Sequence, residues 1–109
     1  MKTFNEFQAF ACKKWFGSKD ESAFQYFVVP TLGITGEAGE VAEKMKKFFR
    51  GDGQLDREGV AMEIADVIFY CAVLADRLGF SLSEIAKMEV DKIEGRIDRG
   101  TRRGNGDNR

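Results

Sequence analysis

Histidine is absent from this 109-residue chain, and that gap alone removes a range of chemistry. A His-ligated zinc site, a Ser–His–Asp triad, a Cys–His dyad and a Glu-x-x-His di-iron site all need an imidazole. Any metal must therefore be held by oxygen. Cysteine is scarce: Cys12 and Cys71 stand singly within apolar helical patterns. With no spacing for a disulfide or redox pair, they read as buried reduced thiols. Neither sign of charge dominates, with 17 basic and 18 acidic residues and a pI near 5.5, so nothing demands a polyanion or an acidic membrane as partner. The opening MKTFNEFQAF is no signal peptide, and no run of about 18 apolar residues could span a bilayer. The expectation is one cytoplasmic domain with no membrane partner.

Proline occurs once, at Pro30, and no segment alternates with period two over enough residues to argue for a strand. Helix starts are plain instead. Thr3 with Glu6 and Ser81 with Glu84 have capping-box spacing, Ser18 with Glu21 repeats it more weakly, and Asp56 is placed to cap a helix beginning near Arg57. Gly17, Gly51, Gly53 and Gly79 stand where helices would stop. The spacing predicts helices near 4–16, 57–78 and 82–97, and a helical region near 20–50. Pro30 should break that region into a short helix and a long one starting near Thr31. The fold class is all-α, four to five helices packed as a bundle over residues 1–97. Residues 98–109, rich in Gly, Asn and Arg, read as a disordered basic tail. Ten phenylalanines give the chain more apolar surface than four short helices can cover, so Phe4, Phe7, Phe10 and Phe16 are assigned to core or subunit packing.

Two pairs of carboxylates stand out. Glu37 and Glu40 lie three apart in GEAGEVAEKMKK, and Glu63 and Asp66 lie three apart in MEIADVIFY. Residues at i and i+3 share one side of a helix, so each pair can offer two oxygens to one space. Their phasing is matched. Glu37 borders an apolar stripe of Ile34, Val41, Met45 and Phe48, with Glu40 one step outward. Glu63 borders a stripe of Val60, Val67, Cys71, Leu74 and Leu78, with Asp66 one step outward. A purely solvated acidic face would lie opposite the stripe. Four acids on facing margins would repel and raise one another's pKa unless a cation sat among them, and magnesium suits an all-oxygen set. Ordinary surface pairs such as Glu40–Lys44 and Glu43–Lys47 are the competing explanation.

At these residues the chain resembles the MazG-like nucleotide pyrophosphohydrolases, an all-helical superfamily whose signature is EExxE followed by ExxD. The first element here is Gly36-Glu37-Ala38-Gly39-Glu40 and the second Glu63-Ile64-Ala65-Asp66. The aromatic-rich DVIFY is also similar, and the resemblance runs from about Phe4 to Gly100. It implies hydrolysis of a nucleoside triphosphate to the monophosphate and pyrophosphate. It also implies that Glu37, Glu40, Glu63 and Asp66 hold Mg²⁺ and that one of them orients the attacking water. Gly36 stands where the fuller motif has Glu, which bears on how many magnesium ions bind. Lys92 and Arg96, with Arg99 continuing their line, form a basic margin on the last helix that could face the acidic groove and reach phosphate oxygens. By the same resemblance Gln8 could read a base edge and Trp15 stack on the base. A homodimer or dimer of dimers is expected around such a site. The alternatives are a helical dimerisation or regulatory module without catalysis, and a nucleic-acid-binding module, favoured only by the Arg-rich tail.

Overall fold

The computed structural model describes residues 3–15 and 21–100, and every regular element among them is an α-helix. In chain order they are α1 (Phe4–Lys13), α2 (Ala23–Phe49), α3 (Arg57–Arg77) and α4 (Leu82–Arg99). The all-α expectation holds, and the caps explain the starts. Thr3 accepts from the Glu6 N–H, Asp56 from Gly59, and Ser81 with Glu84 forms a reciprocal capping box. α2 begins with a second such box, Ser22 with Gln25, where the sequence reading had favoured Ser18 with Glu21. Ser18, like Phe16 and Gly17, lies outside the described residues. α4 runs through Asp98 and Arg99, two residues past the expected end, and stops at Gly100 in the left-handed conformation (φ 71°) that glycine adopts without strain. Residues 101–109 of the expected tail lie outside the described residues.

Pro30 does not break α2. It is buried inside one continuous helix of 27 residues. A proline nitrogen carries no hydrogen, so the carbonyl four residues earlier, Tyr26 O, loses its helical donor. Arg77 on α3 supplies the replacement: its Nη1 donates to Tyr26 O at 2.6 Å. The same nitrogen pairs with Glu21 at 3.0 Å, where the two side chains are 10% and 9% exposed. The guanidinium also lies over the Trp15 and Tyr26 rings, 4.8 Å and 4.3 Å from their centroids. One arginine thus repairs the helix and ties its start to α3.

α3 is the hub. α1, α2 and α4 all pack on it and α1 packs on α4, while α2 approaches neither α1 nor α4 closely. The fully covered apolar core is small, Ala11, Ala72, Val73 and Ala75, with Phe7, Trp15, Phe69 and Leu82 half-buried around it. Cys12 and Cys71 are half-buried free thiols, and burial pushes both up from their ordinary range. Much of the expected apolar patterning stays in the open: Leu78 and Ile97 are each 55% exposed, and Phe4, Phe10, Phe24, Leu32 and Met88 are exposed as well. The arrangement is an open one, not a closed bundle.

These contacts predict a coupled pair of substitutions. Arg77→Ala would leave Glu21 buried without its cation and Tyr26 O without a donor, a loss of about 3 kcal/mol or more in urea unfolding. Adding Pro30→Ala restores an N–H for Tyr26 O, so the double variant should recover about 1 kcal/mol of that loss. Strict additivity of the two changes would refute the surrogate-donor account.

Candidate metal-binding site

α2 and α3 are joined by a turn through Gly51 and Gly53, both at positive φ, and return antiparallel along their apolar faces. The packing brings acids of the two helices together. One carboxylate oxygen each from Glu37, Glu63 and Asp66 lies within 4.8 Å of the others. Glu37 and Glu63, the members nearer the apolar stripes, are half-buried, whereas Glu40 and Asp66 are exposed. Burial, a hydrogen bond with Glu63, and the charges of Asp66, Glu63 and Glu40 push the Glu37 carboxyl above its ordinary value of 4.5. Glu40 is near enough for its charge to be felt at Glu37 but stands outside the three-oxygen group.

Oxygens sharing one octahedral magnesium lie up to about 4.2 Å apart, twice the usual Mg–O distance. A three-carboxylate set spread over 4.8 Å is close to that, and small rotamer changes would bring it in. The donor set is hard oxygen throughout, as the lack of histidine requires. These residues fit a divalent cation.

Tyr70 is a site residue that the sequence reading did not single out. It follows Asp66 by one turn, and burial first, then Glu37 and Asp66, raise its phenol above the ordinary value, so the hydroxyl lies within electrostatic reach of the acids. Its spacing of i+4 from Asp66 was the available signal. Across from it lies Gly33, one turn before Glu37, whose Cα is in direct contact with the Tyr70 ring.

The expected substrate groups fare differently. Gln8 is 7% exposed and its amide is fully used: Nε2 donates to Ala72 O (3.1 Å) and Phe80 O (3.0 Å), and Oε1 accepts from Leu82 N (3.2 Å). With Asn5 accepting from Ser83 N, it satisfies the first turn of α4. Gln8 thus clamps α1 to α3 and to the start of α4. Trp15 stacks on Phe69 at 6.3 Å, meets Tyr70 edge-on at 6.0 Å and donates from its indole to Glu21 (2.9 Å). α4, which carries the basic margin, is joined to α1 and α3 through the Gln8 and Asn5 contacts at its first turn. Lys92 pairs with Glu89 at 3.3 Å, Arg96 is only 4% exposed, and Arg99 folds back over Gly95.

The chain is thus an all-helical protein whose α2–α3 hairpin presents ExxE opposite ExxD. Sequence comparison agrees: residues 37–105 match the model of the MazG-like family, and this chain belongs to that family. It is similar to "Gene 37 protein" of Mycobacterium phage L5, 39% identical over 97 residues and covering 85% of each chain. No solved structure gives a significant match. No described helix is long and apolar enough to cross a membrane.

The raised Glu37 carboxyl fixes the sign of a pH effect. A proton held more tightly in the folded than the unfolded state stabilises below the ordinary carboxyl range, and that contribution is lost as pH rises through the folded value. Metal-free protein should therefore lose thermal stability relative to Glu37→Gln as pH rises from about 4 to about 7. Parallel Tm profiles for the two proteins in calorimetry would contradict this.

Proposed function

We propose that this protein hydrolyses a nucleoside triphosphate to the monophosphate and pyrophosphate with the help of magnesium. The observation that carries the reading is the convergence of Glu37, Glu63 and Asp66 from two helices on one space. Like charges are brought together there at an electrostatic cost that a bound cation would reverse. Family membership supports the same reaction class. Glu37, Glu63 and Asp66 would hold the cation, and Glu40 would complete the set by swinging its exposed side chain inward. Magnesium bound there would neutralise phosphate charge and make a water more acidic. The protein's own task is to hold the triphosphate and the water in line, with one of the four carboxylates orienting the water.

A place for the base is supported by a cavity of about 310 Å³ between α1 and α3, lined by Thr3, Phe4, Phe7, Ala65 and Ile68. Ala65 is the neighbour of Asp66 in the chain, and a mostly apolar cleft of this size is ordinary for small-molecule binding. This cavity takes the role first expected of Gln8 and Trp15. Lys92, Arg96 and Arg99 remain candidates for the phosphates only in an oligomer, where α4 of one copy would meet the α2–α3 groove of another.

Self-association has its own support. Among the described residues sixteen large apolar side chains are exposed. At roughly 190 Å² per large apolar side chain they leave about 1,500 Å² uncovered. A standard interface needs about 800 Å² per partner. A homodimer or dimer of dimers would cover this surface.

Three outcomes follow. Pyrophosphate should be released from nucleoside triphosphates in the presence of Mg²⁺ and not after chelation. Glu40→Gln and Asp66→Asn should each cut turnover by at least about 100-fold with helicity unchanged. A panel of canonical and modified triphosphates yielding no pyrophosphate, with no rise in Tm on adding Mg²⁺, would favour the non-catalytic module instead. Light scattering should give a multiple of the 12.3 kDa chain mass, and a monomer at micromolar concentration would remove the oligomer.

A further inference from the structure

Three glycines lie close together in α2, and only one is crowded. A Cβ built on Gly36 or Gly39 would meet nothing within 4 Å. On Gly33 it would lie 2.6 Å from Cγ of Tyr70 and closer still to Cδ1 and Cε1, well inside van der Waals contact. The Tyr70 ring therefore rests on bare helix backbone. Gly33 precedes Glu37 by one turn on α2, and Tyr70 follows Asp66 by one turn on α3, so this contact adjoins the carboxylates on both helices.

The ring also meets Trp15, edge-on at 6.0 Å, and Phe69, edge-on at 5.5 Å. Trp15 is itself stacked on Phe69 and held by Glu21 and Arg77. Tyr70 lies between this aromatic group and the backbone of α2, and an atom added at position 33 would meet the base of the ring, where separating the two helices relieves the clash.

We infer that the Tyr70 ring, seated on Gly33, is a spacer that sets how closely Glu37 approaches Glu63 and Asp66. Its consequence for cation affinity rests on the metal reading above. The three carboxylate oxygens lie within 4.8 Å of one another, so an outward shift of α2 moves Glu37 away from the other two and weakens their joint hold on one magnesium-sized ion. Tyr70 is a positioning residue in this account, acting through the separation of the two helices, and the ring, not the hydroxyl, does the positioning.

The test is Mn²⁺ titration of the full, metal-free chain by electron paramagnetic resonance, with helicity followed by circular dichroism. Gly33→Ala should weaken Mn²⁺ binding on the order of tenfold or more. Gly36→Ala and Gly39→Ala, which add the same methyl group in open space, should leave affinity within about twofold and raise helix stability by up to about 1 kcal/mol. Tyr70→Phe should bind Mn²⁺ like the parent protein. Spin labels at exposed positions 38 and 64 (Ala38→Cys with Ile64→Cys, in a chain also carrying Cys12→Ala and Cys71→Ala so that no other thiol is labelled) read the helix separation without any metal, and Gly33→Ala should widen it. Gly33→Ala matching Gly36→Ala in affinity and label distance would overturn the spacer, and so would a Tyr70→Phe loss equal to that of Gly33→Ala. If the parent chain binds no Mn²⁺, the metal reading falls and the label distance alone decides: an unchanged distance in Gly33→Ala overturns the spacer as well. Should Gly33→Ala not fold, Tyr70→Ala carries the distance test. Removing the spacer should then shorten the separation, and an unchanged separation overturns the proposal.

Discussion

The packing of α2 against α3 brings three carboxylates within 4.8 Å of one another, and such a cluster is electrostatically unfavourable unless something offsets it. Burial and neighbouring negative charge already act on Glu37, whose proton is held more tightly than usual. The hairpin withstands this because its apolar stripes meet along the same line that brings the acids together. Ile34 and Val41 flank Glu37 on α2, and Val60 and Val67 flank Glu63 on α3, all half-buried. Site and fold are two consequences of one interface.

The rest of the molecule serves that interface from one side. α3 takes contacts from every other helix, while α2 is held only along α3 and at its start by the Arg77 cluster. α1 spends its polar side chains on α4, with Gln8 and Asn5 capping the first turn of that helix. This division explains why side chains that looked suited to a nucleotide are engaged elsewhere. A buried amide with three good hydrogen bonds is worth more as a joint than as a flexible contact. Large apolar residues remain exposed on all four helices of the single chain, from Phe4 on α1 and Phe24 on α2 to Met62 on α3 and Ile97 on α4.

Much of this was legible in the residues. Capping boxes and glycine stops located the helices to within a few positions, because caps are local chemistry between residues three apart. The acid pairs were found by phase, since i and i+3 share a face whatever the tertiary fold. What failed was nonlocal. Pro30 was read as a break because its lost hydrogen bond is visible in the sequence, whereas the compensating donor, Arg77, is 51 residues away from Tyr26. The end of α4 was set two residues short because Asp98 and Arg99 looked like the start of the polar tail.

Sequence alone determined the all-helical class, the oxygen-only chemistry that follows from having no histidine, and the two helical faces on which acids could gather. Each of these depends on composition or on spacing within one turn. Only the tertiary structure decided which acids meet, that Glu40 stands outside the group, that Gln8 bonds to α3 and α4 and Trp15 stacks on Phe69, and that the ring of Tyr70 lies against Gly33. The physical reason is that helix spacing and crossing are set by side-chain volume at contacts between distant residues, and no periodicity within a single helix encodes which neighbour will be there.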